Sequence, residues 1–312
     1  MLSSDADFRP IALISARVAR AHDADLTLLE AALGALGLEV AIVNWDDANT
    51  DWSRFALAIV RSTWDYSARL SEFLNWLDRA ALATRILNSP DVIRWNLDKH
   101  YLGEVQGAGV LTVPTAYAEP GDEAGKVLDS FLQVHEAAEL IIKPAVGSGA
   151  RDAQRYPRTA VTEMRAHLSR LFAGMGSALL QPYLERVDEQ GETALIYING
   201  EFTHAIGKSA LLVRGHSPTR SLFAPEQIVA RTPAADELEL GARVLGRLPF
   251  KNLLYARLDL LRDAHGAPCL LELELAEPSL YLGYSVNAAA RLARAVAERV
   301  QMPARGGRLL GP

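Results

Sequence analysis

Two segments late in the chain, Tyr255-Ala-Arg-Leu-Asp-Leu-Leu and Leu270-Leu-Glu-Leu-Glu-Leu, alternate charge with leucine. A period of two is the period of a strand, so each segment puts its charges on one face and its leucines on the other. The connection Asp263-Ala-His-Gly-Ala-Pro has turn composition. With His265-Gly266 as the central pair, Asp259 stands opposite Glu272 and Arg257 opposite Glu274. One face of the hairpin then holds three carboxylates and one arginine. Like charges at that spacing are unfavourable unless a cation joins them. An all-oxygen set suits Mg²⁺ or Mn²⁺, commonly held by one or two carboxylates plus substrate phosphates. A solvated strand face is the plainer reading of the same pattern.

The bulk composition narrows the partners. A net charge of −6 without a basic block argues against nucleic acid or an anionic membrane as the main partner and leaves room for a local basic cleft that takes a nucleotide. Cys269 is the only cysteine, which excludes an internal disulfide and a cysteine zinc site; between Pro268 and Leu270 it reads as a small buried hydrophobe. The first residues lack a basic region followed by an apolar stretch, and no uncharged run approaches the roughly 18 residues that span a bilayer. A cytoplasmic location is expected, and a homodimer stays open.

The first third alternates strands and helices. Pro10–Ser15, Leu38–Val43, Phe55–Val60 and Arg85–Pro90 read as strands; Leu26, Leu29, Leu33 and Leu36, then Ser71–Leu82, read as helices. That order implies a parallel sheet covered on both faces. Asp91 is expected to cap a helix running to about Gln106, with Lys99 on it. Later, Leu140–Pro144 and Ser177–Tyr183 read as strands, Thr162–Phe172, Ala235–Leu248 and Asn287–Val300 as helices, and Asn199-Gly200 as a hairpin turn. The fold class is therefore α/β followed by α+β.

Two familiar phosphate loops fail. Gly207-Lys208-Ser209 ends like a P-loop, but Phe202 occupies the required glycine and the surroundings read as a hairpin. Gly147 and Gly149 lack the third glycine of a dinucleotide fingerprint, because Asp152 stands there. Another constellation fits. Lys143 ends an apolar strand and Gly147-Ser148-Gly149 follows, so an ammonium and a close-approaching backbone meet one phosphate chain. Gln181 to Glu185 follows a strand and suits a hinge reading an adenine edge. Taken singly, Lys99 reads as a surface lysine and the glycine loop as a plain turn.

Their order resembles the ATP-grasp superfamily, and glutathione synthetase in particular, over roughly Asp98 to Glu277. The resemblance implies an N-terminal parallel α/β domain (1–112), then two α+β subdomains (113–183 and 184–312) that sandwich the nucleotide. It implies that Lys99, Lys143 and the loop Gly147, Ser148 and Gly149 contact ATP phosphates. It implies that Gln181, Pro182, Tyr183 and Leu184 line the adenine, and that Glu185 and Glu192 also bind ATP. Asp259, Glu272 and Glu274 would hold Mg²⁺, or Mn²⁺. Lys208, Arg220 and Arg257 would act on the γ-phosphate or the substrate carboxylate. Glu274 departs from the family pattern, which has asparagine there. More narrowly, Val60-Arg-Ser-Thr-Trp-Asp-Tyr, Ile93-Arg-Trp-Asn-Leu-Asp-Lys, Val113-Pro-Thr and Glu272-Leu-Glu-Leu-Ala-Glu-Pro-Ser-Leu resemble the subfamily of O-ureido-D-serine cyclo-ligase. Arg61, Trp64, Asp65 and Tyr66 follow an apolar strand whose end borders a crevice, so they are substrate-side candidates. Their alternative is an aromatic packing cluster with an Arg61–Asp65 ion pair.

The expected activity is ligation: γ-phosphoryl transfer from ATP to a carboxylate, then displacement of phosphate by an amine or similar nucleophile, within one molecule in a cyclo-ligase. Two other readings stay open, a ligase that modifies peptides or proteins, and an ATP-binding regulator without ligase chemistry.

Overall fold

The structure is a computed structural model and describes residues 9–174, 176–212 and 227–301. Strands β1 (Ile11–Ser15), β2 (Val40–Asn44), β3 (Leu57–Ser62) and β4 (Arg85–Leu87) form a parallel sheet in the order β2-β1-β3-β4. Both faces are covered, as parallel pairing requires. Ile11, Leu13, Leu57 and Ile59 pack against Leu26, Leu29 and Leu33 of helix Ala24–Gly34 and Leu292 and Val296 of helix Ala288–Gln301. Ala12, Ile14, Ala58 and Val60 face Phe73, Trp76 and Leu77 of helix Leu70–Ala83. The last described helix thus returns to cover the first sheet. Leu36, expected on the helix face, lies past its end and is exposed.

Strands β5 (Ala116–Ala118), β6 (Glu139–Pro144), β7 (Gln154–Pro157) and β8 (Ala178–Pro182) form an antiparallel sheet, β5-β8-β6-β7. Leu140, Ile142 and Leu180 bury one face under helices Ala124–Val134 and Val161–Gly174, which turns Ile141, Lys143 and Gln181 to the other side. Strands β9 (Glu192–Ile198), β10 (Glu201–Lys208), β11 (Ile228–Arg231), β12 (Tyr255–Arg262) and β13 (Pro268–Glu274) form a second antiparallel sheet, β11-β10-β9-β12-β13. Asn199 and Gly200 take φ of 55° and 80°, the left-handed pair that the β9–β10 hairpin needs. Leu258, Leu260, Leu270 and Leu273 are buried with Leu240 and Val244 of helix Ala235–Arg247, leaving the charged face of β12–β13 free.

Two expectations need correction. The helix expected from Asp91 to Gln106 is two helices, Pro90–Leu97 and Tyr101–Gly107, and Ser89, not Asp91, is the N-cap residue. Asp98 Oδ1 accepts the His100 N–H (3.1 Å) and Lys99 N–H donates to Ala145 O (3.0 Å), which draws the chain off the helical path. Lys99 therefore sits in the break. The β12–β13 turn is not a two-residue one: Asp263 N–H bonds Ala267 O, leaving three loop residues with Gly266 at φ 84°. An irregularity between Asp259 and Leu260 compensates, so Asp259 still faces Glu272 and Arg257 still faces Glu274.

His167 supplies a stability prediction. It is 1% exposed, 3.0 Å from the Tyr156 hydroxyl, and burial lowers its pKa from 6.5 to about 4. Between those pH values the unfolded chain binds a proton that the fold refuses. Stability is thus full above pH 6.5 and declines as pH falls toward 4, by about 2–3 kcal/mol in all. Denaturation midpoints of His167→Gln should fall less than those of wild type between pH 6.5 and 4.5; equal slopes would refute this.

Candidate active site

A cavity of about 510 Å³ lies between the two antiparallel sheets and reaches the C-terminal end of β3. That volume is within the range of small-molecule sites. One end is apolar. Val113, Ile141, Val187 and Leu261 form a buried cluster there with Tyr183. The hinge Gln181–Leu184 closes this end, and Tyr183 gives its N–H to Glu139 O (2.9 Å). Beneath the hinge the Arg155 guanidinium stacks 3.5 Å from the Tyr183 ring and pairs with Asp188 (3.1 Å) and Glu139 (2.5 Å).

The other end is charged. Lys99 Nζ reaches Glu272 (3.1 Å) and donates to Gly147 O (2.9 Å), joining the helix break, the glycine loop and β13. Lys208, at the end of β10, pairs with Asp259 (2.7 Å) and Glu192 (2.8 Å). Arg257 binds Asp259 through two 2.9 Å hydrogen bonds and also pairs with Glu274. Gly149, Ala150 and Asp152 hold left-handed φ of 64°, 57° and 56° in the loop, which lines the cavity beside Lys143.

These charges set one another. Burial pushes Asp259 up, but Arg257 and Lys208 outweigh it and hold the carboxyl below its usual range. Burial opposes ionisation of Glu272 too, and Lys99 and Lys143 overcome it. Glu274 is raised to about 8, because burial and the neighbouring Asp259 and Glu272 outweigh Arg257. Burial lowers Lys143, only partly countered by Glu272.

The donor chemistry fits a hard divalent cation, although the described residues do not converge as a ready-made group of three carboxylates. Asp259 is engaged by Arg257 and Lys208 and is only 4% exposed, whereas the Glu272 and Glu274 side chains are 25% and 26% exposed to the cavity. The cation that the three-acid face is expected to need is supplied here by Lys99 and Lys208 beside the expected Arg257. Two open carboxylates are what Mg²⁺ commonly uses when phosphates complete its shell.

The structure brings most of the predicted residues together. Lys99, Lys143, Gly147, Ser148, Gly149, Gln181, Pro182, Tyr183, Leu184, Glu192, Lys208, Arg257, Asp259, Glu272, Glu274, Trp64 and Tyr66 all line the cavity. Three do not. Glu185 is exposed beyond the hinge. Asp65 accepts from Trp45 Nε1 (2.9 Å) and pairs with Arg69 (3.5 Å) on the outer side of its turn. Arg61 is fully buried, 3.5 Å from Asp25 rather than paired with Asp65, so it does not face a substrate. Arg220 lies outside the described residues. Cys269 is 1% exposed and its thiol is pushed up to about 12 by burial, as a packing residue should be.

Sequence reasoning missed Asn96, Tyr101 and Glu277. Among the described residues no named strand pairs with the outer edge of β13, which meets only a bridge between Leu270 and Thr112. Tyr101 Oη accepts the Leu273 N–H (2.9 Å), Asn96 Nδ2 donates to Leu273 O (2.8 Å), and Asn96 Oδ1 accepts from Leu275 (2.6 Å) and Ala276 (3.1 Å). The string Ile93–Lys99 held that signal, but only its lysine was extracted.

Residues 11–88 match the family model described as D-cycloserine synthetase DcsG, N-terminal domain. Over 300 residues the chain is 37% identical to the cycloserine biosynthesis protein DcsG of Streptomyces lavendulae, spanning 93% of this chain and 99% of the relative. The chain belongs to the D-cycloserine synthetase family of ATP-grasp ligases. The crystal structure of D-cycloserine synthetase DcsG superposes with a TM-score of 0.87 at 36% identity, covering 93% of this chain and 99% of that one. The ATP-grasp ligase PsnB with minimal precursor, Mg and ADP gives 0.63 at 16% identity over 96% and 100%. D-alanine–D-alanine ligase from Bacillus anthracis gives 0.64 at 14% over 93% and 97%. These two share the fold. As a member of the D-cycloserine synthetase family this chain is an ATP-dependent ligase. The expected fold class holds, and no helix among the described residues is long and apolar enough to cross a membrane.

Proposed function

We propose that the cavity activates the carboxylate of a small amino-acid-like substrate with ATP and closes a ring of the cycloserine type. The observation that carries this is the join between an apolar hinge pocket and a charged end built from Lys99, Lys143, Lys208 and Arg257 around Glu272 and Glu274. The heterocycle of ATP suits the pocket between Ile141 and Leu261. Its phosphates suit the glycine loop, Lys99 and Lys143. Glu272 and Glu274, with Asp259 behind them, would hold Mg²⁺ or Mn²⁺. When bound, that ion offsets charge on the phosphate oxygens during transfer.

A substrate carboxylate oxygen attacks the γ-phosphorus, the bond to the β-phosphate oxygen breaks, and ADP leaves with an acyl phosphate formed. A nitrogen of the same molecule then attacks the acyl carbon and expels inorganic phosphate. Lys208 and Arg257 neutralise the carboxylate end, and closure of the loop at Gly147 keeps water from the acyl phosphate. No side-chain nucleophile is required. The assignment of residues 1–112, 113–183 and 184–312 as three units is supported by one sheet in each.

The expected products from ATP are ADP and phosphate, formed only with a carboxylate substrate present, and hydroxylamine should trap a hydroxamate. Detection of AMP and pyrophosphate, by chromatography of the nucleotides, would overturn the mechanism.

A further inference from the structure

Glu277 is a carboxylate of the cavity that the proposed mechanism does not use. It follows β13 on the segment Glu277–Ser279, and three side chains fix that segment. Trp64 Nε1 donates to Glu277 O (3.0 Å), Arg61 to Pro278 O (2.9 Å) and Arg257 to Ser279 O (3.2 Å). The carboxylate is half-buried in the cavity wall and hydrogen-bonded to the Tyr66 hydroxyl. Three of the cavity's basic side chains are committed elsewhere: Lys99 to Glu272, Lys208 to Asp259 and Glu192, Arg257 to Asp259 and Glu274. Among the described residues none forms an ion pair with Glu277. Burial accordingly raises its pKa to about 7, with Lys99 only partly opposing.

We propose that Glu277, between Trp64 and Tyr66, is the seat of a primary ammonium on the substrate, and so selects α-amino acids over their deaminated analogues. This rests on the ligase reading of the same cavity. A held acid with no ion-pair partner, beside two aromatic rings, is complementary to a cation. The rigid segment places that charge without reorganisation. An ammonium also suits this position better than the second metal site it superficially resembles. A divalent ion demands several oxygens, whereas one face of Glu277 is taken by the Tyr66 hydroxyl and, among the described residues, no three carboxylates converge to hold a metal ion.

The test compares D-cycloserine, which bears a primary amine, with isoxazolidin-3-one, the same ring without it. Both are titrated into full-length protein holding Mg²⁺ and a non-hydrolysable ATP analogue. Wild type should prefer the amine by about tenfold or more, as a charge-assisted contact warrants. Glu277→Gln should reduce that preference to within about threefold, and Glu277→Asp should retain part of it, with nucleotide affinity and unfolding midpoint unchanged in both. A Glu277→Gln protein that keeps the preference overturns the assignment, as does a wild type that shows none. A Glu277→Gln protein whose affinity for Mg²⁺ alone collapses makes Glu277 a metal ligand and also overturns it. Hydroxamate formation by wild type separates these failures from failure of the ligase reading itself, which would give no ADP with any carboxylate.

Discussion

Glu272→Gln is expected to fold and to lose ATP turnover by about 10²–10³-fold, equivalent to roughly 3–4 kcal/mol of transition-state stabilisation. Glutamine keeps the size and an acceptor oxygen but removes the charge. In the free protein that charge is offset by Lys99 at 3.1 Å, and Lys143 also draws Glu272 toward ionisation. Breaking a buried ion pair normally destabilises strongly. Here the side chain is a quarter exposed, and its loss relieves repulsion with Asp259 and Glu274, so the unfolding midpoint should move little. In the loaded site the same charge faces the phosphates' counter-ion, and nothing replaces it. Substrate-dependent ADP release, measured beside a denaturation curve, separates the two effects. A folded variant with turnover within twofold of wild type would remove Glu272 from the metal-binding set.

The charged end of the cavity was legible because strand periodicity is rigid. Alternation in 255–261 and 270–275 fixes which side chains share a face, and the pairing of Asp259 with Glu272 survived even though the turn holds one residue more than expected. A bulge repaired the register, and a bulge has no period to reveal it. Lys143 and the hinge were legible for the same reason, since each ends a strand. What stayed hidden depends on contacts far apart in sequence. Asn96 satisfies the edge of β13 across about 180 residues, and Lys99 leaves its helix because Ala145 takes its N–H. Arg61 looked like a substrate residue because it closes a strand at a crevice. Its partner Asp25 stands 36 residues earlier, and no local pattern ties the two.

Arg61→Ala should therefore destabilise the fold by about 3–5 kcal/mol, the cost of leaving a buried charge without its partner. Against a total stability of 5–15 kcal/mol this brings the protein near its unfolding threshold. The guanidinium is fully buried, 3.5 Å from Asp25, bonded to Pro278 O at 2.9 Å and 5.6 Å from the Tyr255 ring. Asp25 in turn accepts N–H bonds from Leu280 (2.6 Å) and Leu282 (2.7 Å). Arg61 and Asp25 thus pin residues 278–282, which carry Ser279 and Tyr281 into the cavity wall. Removing Arg61 takes the guanidinium from the Asp25 carboxyl beneath that wall and frees the Pro278 carbonyl. The effect on catalysis should be indirect and should fall on both substrates: the requirements for ATP and for the carboxylate rise together as the folded fraction falls. A residue that touched only the carboxylate substrate would raise one requirement and leave the denaturation midpoint alone. A midpoint within experimental error of wild type, with only the carboxylate requirement raised, would return Arg61 to the substrate site.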